Sequence, residues 1–145
     1  MWQYETTVVW RSEKEGWLHA SGNPKITVAT PPDFGGPHNE WSPEQLLMGA
    51  IGSCLMTSAL YYLRKSGIEL RSYMSNVAGT LGKTREGLAF TRIDVEVSIT
   101  VGASDDVEKA QRADEKAQQT CLVSKAMKCT VNVNSLVNVH GTGEA

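Results

Sequence analysis

The chain has 145 residues, the length of one ordinary domain, and its 41% hydrophobic and 21% charged residues exclude a disordered or fibrous protein. A net charge of −2 provides no field that would gather nucleic acid or an anionic membrane, and neither is expected as a partner. Cys54, Cys121 and Cys129 are too few for a secreted disulfide scaffold, and Met1-Trp2-Gln3-Tyr4-Glu5 lacks the basic and apolar regions of a signal peptide, so the expectation is a cytoplasmic protein with reduced thiols.

Aromatic and β-branched residues predict strands over 2–10, 17–20 and 25–30, the last two parted by the turn signal Ser21-Gly22-Asn23-Pro24. Residues 31–39, with Pro31, Pro32, Pro37 and the Gly35-Gly36 pair, read as a loop. A helix then announces its start: Ser42 as N-cap, Pro43 at the first helical position, and Gln45 closing a capping box. It should run to about Ser66 and end at Gly67. Residues 46–63 carry no charge, which approaches the lower limit for a membrane span. Gly49, Gly52, Ser53, Thr57 and Ser58 make the stretch only moderately hydrophobic, so it reads as a buried core helix.

Residues 70–81 and 88–101 read as two strands of a hairpin across a loop at 82–87. The second alternates cleanly, with Ile93, Val95, Val97, Ile99 and Val101 on a dry face and Asp94, Glu96 and Ser98 opposite. Residues 105–119 form a polar helix whose thin buried stripe is Ala110, Ala113 and Ala117. A short helical piece over 121–128 and an alternating strand marked by Val131, Val133, Val137 and Val139 follow, with a frayed tail from Gly141. The order predicts a single α+β domain over 1–145, with antiparallel sheets packed around a long central helix. That helix is apolar nearly all round. Its rows of small residues (Gly49, Ser53 and Thr57; Ala50, Cys54 and Ser58) would let a second helix approach closely, and the same helix of another copy is the natural candidate, giving a homodimer.

A lone Cys54 has a plain reading as a small buried hydrophobe, as do Cys121 and Cys129. The surrounding residues add to this. Ser42-Pro43-Glu44-Gln45-Leu46-Leu47 followed by Gly52-Ser53-Cys54 resembles the N-P-E-E/Q-L…A-C-F helix of the OsmC/Ohr proteins. Cys121-Leu122-Val123-Ser124-Lys125-Ala126 resembles their C-P-V/Y-S motif at a similar separation, and the order of strands and helices also matches.

The resemblance implies an OsmC-like fold, an intertwined homodimer and a thiol peroxidase acting on organic hydroperoxides. Cys54 would attack the O–O bond as a thiolate and become a sulfenic acid; Cys121 would condense with it to a disulfide that an external thiol or dithiol reduces. Attack needs a thiol pKa below the free value of about 8.5. Cys54 lies about three turns into its helix, too deep for the dipole to help much, so a cationic side chain is expected beside it. Glu44 matches the glutamate that anchors an arginine in the family. Since ten residues of helix rise about 15 Å, Glu44 could reach only the cysteine of a partner chain. Its plain reading, an acid favoured by the dipole in the first helical turn, can coexist with that role.

The arginine is where the chain departs from the pattern. Arg11 lies at nearly the right distance before Glu44, while Phe34 occupies the other family position; Lys14 and Lys25 are substitutes that otherwise read as surface charges. Leu122 stands where a proline is usual and Leu55 where an aromatic is usual. No cofactor is expected, and His19, His38 and His140 show no metal-ligand spacing with the cysteines. No phosphate loop, dinucleotide fingerprint or Ser-His-Asp set is recognisable. The alternative to an enzyme is a dimer that senses redox state or binds a small molecule without turnover, a reading supported by Phe34 at the family's arginine position.

Overall fold

Three short strands open the computed structural model, which describes residues 1–141. The chain divides into two units, Met1–Leu47 and Met48–Ala145. Of the expected tail, Gly141 itself sits in a turn and the residues after it lie outside the described ones.

In the N-terminal unit, β1 (Thr7–Ser12), β2 (Glu15–His19) and β3 (Ile26–Ala29) form an antiparallel sheet in that order. The first strand starts five residues later than expected. Thr7 is opposite His19, the last residue of β2, so the aromatic stretch before it has no backbone partner, and Trp2 and Tyr4 stand exposed. Gly16 is required where it is: a Cβ there would come within 2.5 Å of the Val9 carbonyl oxygen. After a 3-10 turn at Pro32–Phe34 that ends on Gly35 with φ 87°, the chain returns along β3, where the Ala29 N–H donates to the Trp41 carbonyl at 2.8 Å.

The helix α1 (Pro43–Lys65) begins with the expected capping box: the Gln45 N–H donates to Ser42 Oγ at 3.1 Å, and the Ser42 N–H donates to Gln45 Oε1 at 3.1 Å. At its far end Gly67 takes φ 70°, and the Ile68 N–H reaches back to the Leu63 carbonyl at 3.1 Å.

The second unit holds β4 (Leu70–Thr84), β5 (Gly87–Val101), α2 (Val107–Thr120), α3 (Leu122–Lys125) and β6 (Val131–Val139). The hairpin is longer than expected. Both strands run through the anticipated loop to the two-residue turn Arg85-Glu86, where Thr84 Oγ1 donates to the Gly87 carbonyl at 2.7 Å and Gly87 adopts φ 104°. Gly82 reads as a loop residue in sequence but lies in the strand opposite Ala89, where a Cβ would meet Thr91 Cγ2 at 3.0 Å.

The sheet has the order β4-β5-β6 and is mixed, which corrects the expectation of purely antiparallel sheets: β5 and β6 pair in parallel, Ile93 with Val131 through Val101 with Val139. The reason is the connection. A parallel pair needs a crossover of a dozen or more residues, and α2 with α3 supplies it.

The dry face of β5 (Ile93, Val95, Val97, Ile99 and Val101) forms the core with Ile51, Leu55, Ala59 and Leu63 of α1 and Ala110, Ala113, Ala117 and Cys121. Gly52 lets α1 lie against β4, since a Cβ would already stand 3.0 Å from Val77 Cγ2. On the wet face Asp94 takes Arg92 Nε at 2.6 Å and Asn132 Nδ2 at 3.4 Å, and Asn134 Nδ2 donates to Glu96 at 3.2 Å. Among the described residues α1 is the single helix long and apolar enough to cross a membrane, but it packs one row into this core, and Gly49, Ser53, Thr57 and Tyr61 face outward, exposed.

Candidate active site

Cys54 sits half-buried on α1, and Cys121 is fully buried at the joint between α2 and α3. Both are free thiols, and they are near enough that each shifts the ionisation of the other. The joint explains how. Cys121 leaves the helical conformation, with φ −64° and ψ 111°, so it ends α2 and caps α3 at once. Its carbonyl accepts the Lys125 N–H at 3.2 Å, which closes the first turn of α3. The N–H groups of Leu122 and Val123, the first two of that turn, have no partner within a helix and are left free to serve the sulfur of Cys54.

The electrostatics of the two sulfurs differ. Burial by itself would raise the pKa of Cys54. Against it, the Val123 N–H, the Cys121 thiol, the Leu122 N–H and the Ser58 hydroxyl all stabilise the thiolate, and the balance lies below the ordinary thiol value. Cys121 goes the other way. Burial lifts its pKa and the neighbouring Cys54 adds to this, outweighing the Ser124 hydroxyl, which donates to Cys121 Sγ at 3.1 Å, and the Ser124 N–H. Of the pair, Cys54 is therefore the sulfur that ionises more readily and Cys121 the one that keeps its proton longer. Within its own chain, the groups that favour the Cys54 thiolate are backbone amides, a thiol and a hydroxyl.

Beneath Cys121 lies a buried polar cluster that sequence reasoning missed. Asp114, 3% exposed, accepts from Gln118 Nε2 at 2.9 Å and from the Ser135 hydroxyl. The Tyr73 hydroxyl is buried without a hydrogen-bond partner, and burial together with the charges of Asp114 and Cys121 pushes its pKa well above the usual phenol value. Asp114 was legible as one heptad before Cys121, on the stripe of Ala110 and Ala117. Ser58 and Ser124 were legible too, four and three residues beyond their cysteines. Tyr73 gave no such signal, because its place depends on sheet register.

The other expected site residues belong to the N-terminal unit. Glu44 lies in the first turn of α1 and lines a hollow of about 440 Å³ with Trp10, Val28, Pro31 and Phe34; its Oε1 is buried and has no hydrogen-bond partner. Arg11, on β1, holds its guanidinium 5.5 Å from the centre of the Trp17 ring, and among the described residues it makes no ion pair with Glu44. Lys25 covers the same ring at 3.6 Å, and Lys14 donates to the carbonyls of Phe34 at 3.2 Å and Gly35 at 3.4 Å. Cys129 is half-buried and packs against the core of the second unit.

An α+β chain with two three-stranded sheets, whose long helix carries a thiolate-favouring cysteine beside a buried second thiol, defines a class of small dithiol proteins. Residues 36–135 match the OsmC-like protein family, and the chain belongs to it. Among its relatives is the uncharacterized protein YmaD of Bacillus subtilis, 24% identical over 127 residues, which are 86% of this chain and 85% of YmaD. An OsmC-like protein of unknown function from Vibrio cholerae has the same fold, with a TM-score of 0.86 at 18% identity over 94% of this chain and all (100%) of that one. An organic hydroperoxide resistance protein OsmC from Legionella pneumophila is similar at a TM-score of 0.69 and 22% identity, covering 96% and 100% of the two chains.

Proposed function

We propose that the protein is a cytoplasmic thiol peroxidase that reduces organic hydroperoxides, with Cys54 as the peroxidatic and Cys121 as the resolving cysteine. The observation that carries this reading is the neighbouring pair of free thiols whose pKa values are displaced in opposite directions. The Cys54 thiolate attacks the distal oxygen of ROOH; the O–O bond breaks, the leaving alkoxide takes a proton to become ROH, and Cys54 becomes a sulfenic acid. Cys121 then attacks that sulfur. Its thiol proton leaves with the hydroxide as water, and the S–S bond forms. A dithiol reductant supplies two electrons and two protons to restore both thiols. Because Cys121 neighbours Cys54, the resolving thiol is at hand when the sulfenic acid forms and captures it before further oxidation.

In this proposal Glu44 and Arg11 orient the peroxide. Glu44 acts on the cysteine of a second copy in a homodimer built on the exposed Gly49, Ser53 and Thr57 row. Membership of the OsmC-like family and the hydroperoxide resistance protein among the similar structures support the reading. One observation favours a non-cycling redox sensor instead: Phe34 stands at a position where the family has an arginine, and among the described residues Arg11 makes no ion pair with Glu44. Consumption of cumene hydroperoxide with dihydrolipoamide as reductant decides between them. Steady turnover, lost in Cys54→Ser and reduced to a single oxidation without a disulfide in Cys121→Ser, is the expected outcome. A single oxidation of the wild type with no cycling under the dithiol selects the sensor.

A further inference from the structure

The C-terminal turn of α1 and the outer stripe of α2 enclose a hollow of about 410 Å³ lined by Tyr62, Lys65, Ser66, Lys109, Arg112 and Lys116, with Ala113 at its base. Four of the chain's 14 lysines and arginines thus meet in one depression of a protein whose net charge is −2. Arg112 is the one with a carboxylate: Glu108 Oε1 stands 3.3 Å from its guanidinium, both side chains being largely exposed. Lys65, Lys109 and Lys116 make no ion pair among the described residues; Lys116 holds its ammonium 6.0 Å from the centre of the Tyr62 ring.

A plain structural role covers only part of this set. Lys65, in the last turn of α1, is favoured there by the helix dipole. Lys109 is not, because it stands in the first turn of α2, where a cation opposes the dipole. Lys109, Arg112 and Lys116 lie three and four residues apart along one stripe, a spacing at which like charges repel. An anion in the hollow would relieve both penalties.

We propose that this basic hollow binds the phosphate groups of a small molecule carrying a di- or polyphosphate. The guanidinium fork of Arg112 suits two phosphate oxygens at once, and the three ammonium groups act as point charges around it. A single carboxylate would leave most of the positive charge uncompensated, whereas a polyphosphate balances it. The volume is in the range of small-molecule sites, and the flat edge of Tyr62 gives the ligand's less polar part a wall. The proposal does not depend on the peroxidase reading, since none of these residues takes part in the thiol chemistry.

Calorimetric titration of the Cys54→Ser protein with inorganic pyrophosphate, with ATP and with vesicles containing phosphatidic acid tests it in the absence of any redox step. Saturable binding is expected, weakened at least tenfold in Arg112→Gln/Lys116→Gln and unchanged in Lys14→Gln. Matching circular dichroism spectra will show that the substituted surface residues leave the fold intact. Binding to the vesicles alone, with the same loss in the double variant, overturns the small-molecule proposal and assigns the hollow to a lipid headgroup. No saturable binding of any probe, or binding that the double variant retains, overturns the proposal.

Discussion

A backbone turn does much to lower the pKa of Cys54, and this makes Leu122 consequential. Related sequences resembling C-P-V/Y-S place a proline here, and a proline has no N–H to donate. Leu122 provides one of the two amides that hold the Cys54 sulfur. Proline is well tolerated at the first position of a helix, so Leu122→Pro should fold while losing that donor. Loss of a donor to the thiolate disfavours the charged form, and the pKa of Cys54 must rise. The rate of alkylation by iodoacetamide against pH measures this. In Cys121→Ser, where Cys54 reacts apart from the other thiol, the rising limb should lie at higher pH when Leu122→Pro is added. An unmoved limb would mean that the Leu122 amide does not reach the sulfur. The wild-type curve should rise at a pH below that of an ordinary thiol, because donors outweigh burial at Cys54.

Secondary-structure elements obey local rules that can be tested singly. Ser42 is 2% exposed and satisfies the Gln45 N–H, so Ser42→Ala should cost about 1 kcal/mol through loss of an N-cap. Urea unfolding monitored by circular dichroism measures the loss. Leu63, 1% exposed beneath the sheet, belongs to a different class of effect: Leu63→Ala removes a large buried side chain and leaves a cavity, with an expected cost of roughly 2–5 kcal/mol. Should both variants unfold at the wild-type denaturant midpoint, the helix cap and the core face would be misassigned. The capping box, the glycine stop at Gly67, the alanine stripe of α2 and the alternation of β5 were all legible in sequence, since each follows from neighbours a few residues apart. The direction of β6 was not. Val131, Val133, Val137 and Val139 alternate whichever way the strand runs, and only the crossover through α2 and α3 sets it parallel to β5.

At the scale of the molecule, α1 remains apolar on faces that its own unit leaves uncovered. Gly49, Ser53 and Thr57 are exposed in a row one helical turn apart, and Leu60 and Tyr61 continue the surface toward the C-terminal end. The proposed homodimer buries this row. A bulky charge in it should therefore dissociate the dimer, and Ser53→Arg is expected to lower the mass measured by size-exclusion chromatography with light scattering from that of two chains to one. The same variant should lose peroxide turnover if Glu44 serves the partner's cysteine, while alkylation of Cys54 in the monomer continues. A wild-type protein that already runs as a monomer would remove both expectations.

Sequence alone determined the elements, the family resemblance and the two cysteines worth watching, because propensity, capping and periodicity act over a few residues and a motif preserves its spacing. Tertiary structure decided what surrounds the sulfurs. The amides of Leu122 and Val123 are the same chemical groups in every residue but proline, so no side-chain pattern marks them as thiolate donors until the chain turns them toward Cys54. Likewise Arg11 is a cation at a suitable position in the sequence, yet it lies over Trp17 and makes no ion pair with Glu44. Charge type is written in a sequence; the neighbours that give a charge its work are brought together only by folding.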